Sequence, residues 1–428
     1  MKARRYINRQ VDAMYGACYV WLQELKGIVR DEGVLIFFIL VPLTYPLLYS
    51  WIYNNEVVRD VPVAVIDNSH SSLSRRFISR CDASPDVQVK CYANDMDEAR
   101  SLMGRQVVRG IYYIPSDFAT RLNRMEQTQV RVYCDMSLML TYKAVYQTAT
   151  LVSQDMNKEI QIALSRNMTD REDEVTTAPL DYEEVPIFNP TGGYGNFILP
   201  GVLMLIIQQT LVLGIGLAAG TARETNRLSE LIPMTRHYRG VFRIVLGKAM
   251  CYFMVYVVLS AYLTIIVPRM FDFVAIAQPR ELVGVLVPYL LACIFFGITV
   301  SCLIRYRENV MLLVVFLSVP LLFMSGVSWP QSNIPGFWQG VSWLFPSTFG
   351  VRAFVRTSQM GATLGDVSTE CGILWLQTAV YFVTACAVYR YQIHLSRLKV
   401  LKQLAHIRHK RAVRSKLKTA RTQDNGRV

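Results

Sequence analysis

The sequence predicts a polytopic α-helical membrane protein of six transmembrane helices, with an α/β extracytoplasmic domain inserted after the first. Three observations predict it. The apolar residues gather into six runs, at 34–53, about 197–219, 249–267, 283–304, 310–328 and 372–389. Each run is roughly 18–23 residues long, enough to cross a hydrocarbon layer about 30 Å thick at about 1.5 Å per residue. The basic residues avoid these runs and fall on one side of them. Between residues 54 and 196, strand and helix patterns alternate as they do in a layered α/β domain.

Charge supports the span count. The 428-residue chain is 52% hydrophobic, only 18% charged, and carries a formal net charge of +13. Residues 54–196 hold 15 Lys and Arg against 20 Asp and Glu, so the surplus lies elsewhere. It lies at Lys2, Arg4, Arg5 and Arg9, in the segment 221–248, at Arg305 and Arg307, and in a tail from Arg390 with 12 basic residues and one acidic one. With six spans these segments share one side, which the positive-inside rule makes cytosolic, with both termini there. Trp51, Trp329, Trp338, Trp343 and Trp375 stand beside the opposite ends of spans, where indole rings favour the interface.

In chain order, residues 1–33 are basic and amphipathic and read as an interfacial helix that includes Trp21. The first span, 34–53, starts too late and runs too long for a cleaved signal peptide, so it is read as retained. In the domain 54–196, VPVAVID (61–67), DVQVKCY (86–92), VVRGIYYI (107–114) and TQVRVYCD (128–135) read as strands. LSRRFISRC, MDEARSLMGRQ and SDFATRLNRME between them read as helices, the last two opening at Asp95 and Ser116. A longer helix follows at about 137–165, and the acidic stretch 170–186 reads as a linker back to the membrane. Residues 197–389 form the five-helix region. Its cytosolic hairpin is 221–248, and 329–350 reads as short helices re-entering the outer leaflet, with Pro320 interrupting the run before it. Residues 390–428 are a basic cytosolic tail.

Several chemistries are excluded by motif. GVFRIVLGKAM (240–250) fails the phosphate-binding pattern twice: six residues separate its glycines, and Ala249 follows the lysine. LGIGLAAG (213–220) has the wrong spacing for a dinucleotide fingerprint and is better read as close helix packing through small residues. His70, His237, His394, His406 and His409 form no metal or nucleophile constellation. Catalytic, cofactor-binding and metal-binding residues are therefore expected to be absent. Cys81, Cys91, Cys134 and Cys371 would face an oxidising side, where a disulfide could form, but no spacing selects a pair. Gln208 and Gln209 fall mid-span, as helix contacts or as part of a path. The basic tail is read as holding anionic lipid headgroups rather than nucleic acid. The hairpin carries an apolar stripe, LSELIPM, among arginines, which suits docking into the groove of a cytosolic partner.

Taken together, these segments resemble the membrane subunits (permeases) of type 2 ATP-binding-cassette exporters, in the branch with a large domain between the first two spans. ELKGIVRDEGVLIFFILVP (24–42) is similar to that family's entry helix, with Glu24, Arg30 and Asp31 at the expected places. VPVAVIDNSHSSLSRRF and GIYYIPSDFATRL resemble parts of its outer domain, and FNPTGGYGNFILPG (188–201) its re-entry into the second span. The outer re-entrant motif is matched through Ser325, Gly326, Pro330, Pro335, Gln339 and Pro346. The inner loop departs from the pattern: Ala222 stands in place of an acid, and Asn226-Arg227 in place of Gly-Thr.

The resemblance implies a permease that forms the translocation path as a dimer, with an identical or related second subunit. It implies coupling to a separate ATPase subunit, which would bind ATP and magnesium, through Arg223, Glu224, Leu228, Glu230, Leu231 and Pro233. It further implies export toward the side of the α/β domain, which could dock a periplasmic adaptor, and residence in a bacterial inner membrane. Two other readings stay open: a membrane-anchored receptor or scaffold whose outer domain binds a ligand, and an ion-coupled transporter. The latter would place ionisable residues within spans, and the sequence has none securely there.

Overall fold

The structure, a computed structural model, describes residues 2–54, 57–165, 169–178, 180, 185, 187–189, 192–224, 240–304 and 306–394. The chain divides into two units, Asn55–Gly193 and the remainder.

The first of these is an α/β unit. Its strands β1 (Val61–Asp67), β2 (Val87–Tyr92), β3 (Gly110–Ile114) and β4 (Arg131–Cys134) form one sheet in the order β2-β1-β3-β4. β1 runs parallel to both its neighbours, and β4 is antiparallel to β3. The unbroken apolar run in β1 follows from cover on both faces. Val61, Val63 and Val65 pack with Phe77, Tyr112 and Val145 on one side, and Ile66 packs with Ala99 and Ile111 on the other. Helix Ser72–Asp82 starts from a capping box in which Ser71 and Ser74 bond each other's backbone N–H. Tyr112 donates its hydroxyl to Val145 O at 3.0 Å, tying the sheet to the long helix Met139–Ser165.

The sequence reading needs two adjustments here. The helix expected to open at Ser116 is shorter, Phe118–Asn123, with Asp117 at its N-cap position. Part of the acidic stretch expected to be linker is a helix, Asp170–Thr177. Thr169 caps it, and Asp170, Glu172 and Asp173 sit in its first turn, where the helix dipole favours negative charge. All nine cysteines are free thiols. Burial in the sheet–helix core pushes the Cys81 thiol up to about 12.

The other unit opens with an α-helix, Lys2–Arg30. Asp31 breaks it and caps the next helix, its Oδ1 accepting from Val34 N at 3.2 Å. Among the described residues six helices are long and apolar enough to cross a membrane: Glu32–Ile52, Tyr194–Thr221, Val241–Met270, Pro279–Leu303, Arg307–Met324 and Ser368–His394. The second and fourth are the most enclosed and the fifth the least. The third span starts eight residues before the expected 249, because Lys248 lies inside it, buried and partnered. Pro320 does not end the fifth helix, which runs to Met324 and stops at a turn where Gly326 has φ 89°. Beyond it come a 3₁₀ turn, Gln331–Asn333, and two helices, Gly336–Ser342 and Pro346–Met360. The last of these extends past residue 350 and is buried along most of its length.

Candidate functional site

Two groups of polar side chains in the span bundle include the residues singled out in the sequence. One lies at the end where the hairpin joins the second and third spans. There the N-terminal helix lies along the third span with Ala17, Val20, Glu24 and Ile28, a stripe with helical spacing. Contact is close because Gly247 has no side chain: a Cβ there would come within 2.8 Å of Ala17 O. The one charged member of the stripe, Glu24, meets Lys248 (Oε2 to Nζ, 2.5 Å). Its other oxygen accepts from the Tyr252 hydroxyl, one turn along the third span. Only 13% of the Glu24 side chain and 11% of the Lys248 side chain is exposed. The expectation that no ionisable residue lies within a span is therefore corrected. The charge is neutralised by a partner 224 residues earlier in the chain, so the hydrophobic run passes through it.

Arg223 lies at the root of the hairpin and turns into the bundle, while its neighbour Glu224 is exposed. The Arg223 guanidinium donates to Ile304 O and to Gln392 Oε1, and Gln392 Nε2 donates to Cys302 O at 2.5 Å. One arginine thus joins the ends of the second, fourth and sixth spans. Glu224 Oε1 accepts from Arg307 N at 3.0 Å, satisfying one of the free N–H groups that open the fifth span. Leu228, Glu230, Leu231 and Pro233 lie outside the described residues.

The second place is the corner after the fifth span. Ser325 Oγ donates to Leu322 O at 2.6 Å, and Gly326 takes the left-handed turn. Pro330 and Pro335 precede the 3₁₀ turn and the short helix, and Pro346 occupies the first turn of the buried helix. Gln339 Nε2 clamps Gln331 O and Ile334 O at 3.0 and 2.8 Å. All six residues of the sequence motif therefore fall in one folded corner.

Gln208 fixes that corner to the second span. It is 2% exposed, and its Oε1 accepts from Ser347 N at 2.7 Å and from the Cys293 thiol at 3.6 Å. Ser347 is the second residue of the buried helix, so Gln208 supplies an acceptor that helix ends otherwise lack. Gln208→Leu is expected to destabilise the purified chain by about 1–2 kcal/mol, since a buried N–H would lose its acceptor. Thermal unfolding checks this, and Gln209→Leu should cost less. Gln209, with Gln208, lines a small crevice between the second and fifth spans, of about 20 Å³, bordered also by Val212, Phe296, Leu317 and Phe345. No group of His, Cys, Asp and Glu suited to a metal ion occurs among the described residues.

Sequence reasoning missed Lys248 and Tyr252 as site residues and took Glu24 only as a motif position. Two signals could have found them. Glu24 falls on the apolar stripe of an amphipathic helix, and Lys248 and Tyr252 share one face of a helix at i, i+4.

A family model described as "ABC-2 family transporter protein" matches residues 33–387. The chain is also similar to the "Probable multidrug ABC transporter permease YbhR" of Escherichia coli (strain K12). They are 19% identical over 370 residues, which cover 86% of this chain and 95% of the relative. A protein of the same name from Escherichia coli O157:H7 matches with the same identity and coverage.

Proposed function

The chain belongs to the ABC-2 transporter family, and on that premise we propose that it is the permease subunit of an ATP-driven exporter whose ATPase is a separate chain. It is a multi-pass membrane protein and a transport permease. The proposal adds the motor, the partner subunit and the direction. One observation supports the motor reading most: both elements expected to meet a cytosolic ATPase are tied to the bundle by polar side-chain bonds. The N-terminal helix is tied by Glu24 to Lys248 and Tyr252, and the hairpin root by Arg223 and Glu224 to the fourth, fifth and sixth spans. A push on either element would then move packed helices as bodies, since such packing switches rather than deforms smoothly.

In this reading ATP and magnesium belong to the partner. The hairpin residues Leu228, Glu230, Leu231 and Pro233 make the contact, while Arg223 and Glu224 carry the load inward. A second permease subunit, identical or related, packs against the fifth span, whose Leu312, Val315, Phe316, Val319 and Phe323 are exposed on the lone chain. The crevice at Gln209 then opens onto the path. The α/β unit faces the extracytoplasmic side of the inner membrane and receives cargo or an adaptor. The basic tail holds anionic lipids on the cytosolic side, and nucleic acid is not a partner. The relative's name points to drug-like cargo.

Purification in mild detergent is the test. A separate ATPase should be recovered with the chain, and replacing Glu230 and Leu231 together should abolish its recovery while membrane insertion is unchanged. These positions are chosen over Glu224, whose loss would also uncap the fifth span. Repeated recovery of the chain alone, or of an undiminished complex with the double variant, would defeat the proposal.

A further inference from the structure

Three charged side chains join the buried helix Pro346–Met360 to the start of the sixth span, and their hydrogen bonds are unevenly shared. Arg352 and Arg356 stand one turn apart on one face of that helix, about 6 Å along its axis. Glu370 is the third residue of the span, with 15% of its side chain exposed. Its Oε1 accepts from Arg356 Nη1 at 2.8 Å, while Arg356 Nη2 donates to Asp366 O at 3.0 Å. Its Oε2 is enclosed and has no donor among the described residues. Arg352 is the converse case. Its Nε and Nη2 are enclosed without an acceptor among the described residues, and Glu370 is the acid whose charge bears on it.

The acceptor that Arg352 lacks is thus inside the chain. A guanidinium does not shed its proton, so burial cannot be relieved by losing the charge. Nε–H and Nη2–H lie side by side along one edge of its plane, and that edge takes a carboxylate through two parallel hydrogen bonds. On Arg352, Glu370 would satisfy three enclosed atoms at once: the two nitrogens and its own Oε2. The cost falls on Arg356, whose side chain is 41% exposed and keeps Asp366 O as an acceptor. Water can hold Arg356 when the carboxylate leaves, but it does not reach the open edge of Arg352. Each arrangement therefore satisfies what the other leaves open.

We propose that Glu370 passes between Arg356 and Arg352, a two-position latch that holds the sixth span to either of two successive turns of the buried helix. Packed helices switch between such settings rather than slide smoothly. The inference does not depend on ATP coupling, so it can fail or stand independently of the proposed function.

The test is thermal unfolding of the full chain in maltoside detergent, with substitutions made singly and in pairs. Arg352→Lys keeps the charge but loses the two-bond edge. In the wild-type chain, where Glu370 rests on Arg356, it should leave Tm unchanged. In an Arg356→Gln chain, where Glu370 has only Arg352 to meet, the same change should lower Tm by several degrees. Arg356→Gln alone should cost little, because the carboxylate moves across. The pair Arg352→Gln/Arg356→Gln should lower Tm by several times the sum of its two single changes, since Glu370 is then enclosed without a cation. If that pair does not fold, the Arg352→Lys comparison carries the test. A fall from Arg352→Lys in the wild-type chain means a fixed bridge to both arginines. No fall in either background means that Glu370 never meets Arg352. Both results overturn the proposal.

Discussion

Lys248→Met should destabilise the chain by about 3–5 kcal/mol, the usual cost of removing one partner from a buried ion pair. The variant leaves the Glu24 carboxylate almost enclosed, with only the Tyr252 hydroxyl as a donor. The side chain lost is apolar along most of its length, and methionine replaces that part, so the penalty is electrostatic rather than steric. The double variant Glu24→Gln/Lys248→Met should recover most of the stability. Its neutral amide can still accept from Tyr252, and no charge is left unpaired. Thermal unfolding of wild type, both singles and the double yields the coupling directly. Transport should not follow stability. If the pair links the N-terminal helix to the third span, the double variant regains its fold yet transports poorly. Full transport by a stable double variant would reduce the pair to a packing detail, and a Lys248→Met chain as stable as wild type would refute the electrostatic account.

Much of the fold was legible because it rests on periodicity. The six apolar runs became six helices, and VPVAVID became a strand covered on both faces, because hydrophobic patterning fixes which surfaces must be hidden. The corner after the fifth span was legible from its prolines, glycines and tryptophans, which neither a straight helix nor a free loop tolerates. The errors have a common cause, a local pattern overridden by a distant partner. Lys248 looked like the edge of a span because hydropathy does not register a carboxylate on another helix. The partners of Arg223 and Glu224, namely Ile304, Gln392 and Arg307, are just as remote in the sequence and equally hidden from a local pattern. Asp170–Thr177 looked like linker because its acids read as solvated, whereas they stand at a helix N-terminus that favours them. Gln208 was recognisable as needing a partner, but nothing nearby in the sequence names Ser347.

Gly214→Ala and Gly220→Ala should be among the most damaging single-methyl changes in the chain, though alanine is the better helix former. A Cβ at Gly214 would run into the ring of Phe38, and one at Gly220 would come within 2.9 Å of the Arg307 backbone. Neither obstacle can yield cheaply. Phe38 is fully buried, set edge-on against Tyr256 and Tyr252 with ring centres 4.8 and 5.7 Å away, and Tyr252 in turn holds Glu24. Arg307 is backbone, fixed by its bond to Glu224. Each substitution should cost about 1–3 kcal/mol, the usual penalty for overpacking, and leucine at either site should prevent folding. Two glycines calibrate the result. Gly297 faces the end of the flexible Ile215 side chain at 3.1 Å, and Gly340 has nothing within 4 Å, so alanine there should be tolerated. Thermal unfolding and the yield of monodisperse protein give the ranking, and a Gly214→Ala chain as stable as Gly340→Ala would reject it. The consequence reaches beyond stability. Gly214 seats the second span on the first and Gly220 seats it on the fifth, so a shift at the hairpin root must carry all three helices together. A variant that folds with a loosened Gly220 contact should therefore keep any ATPase partner bound while losing the transport that the partner drives.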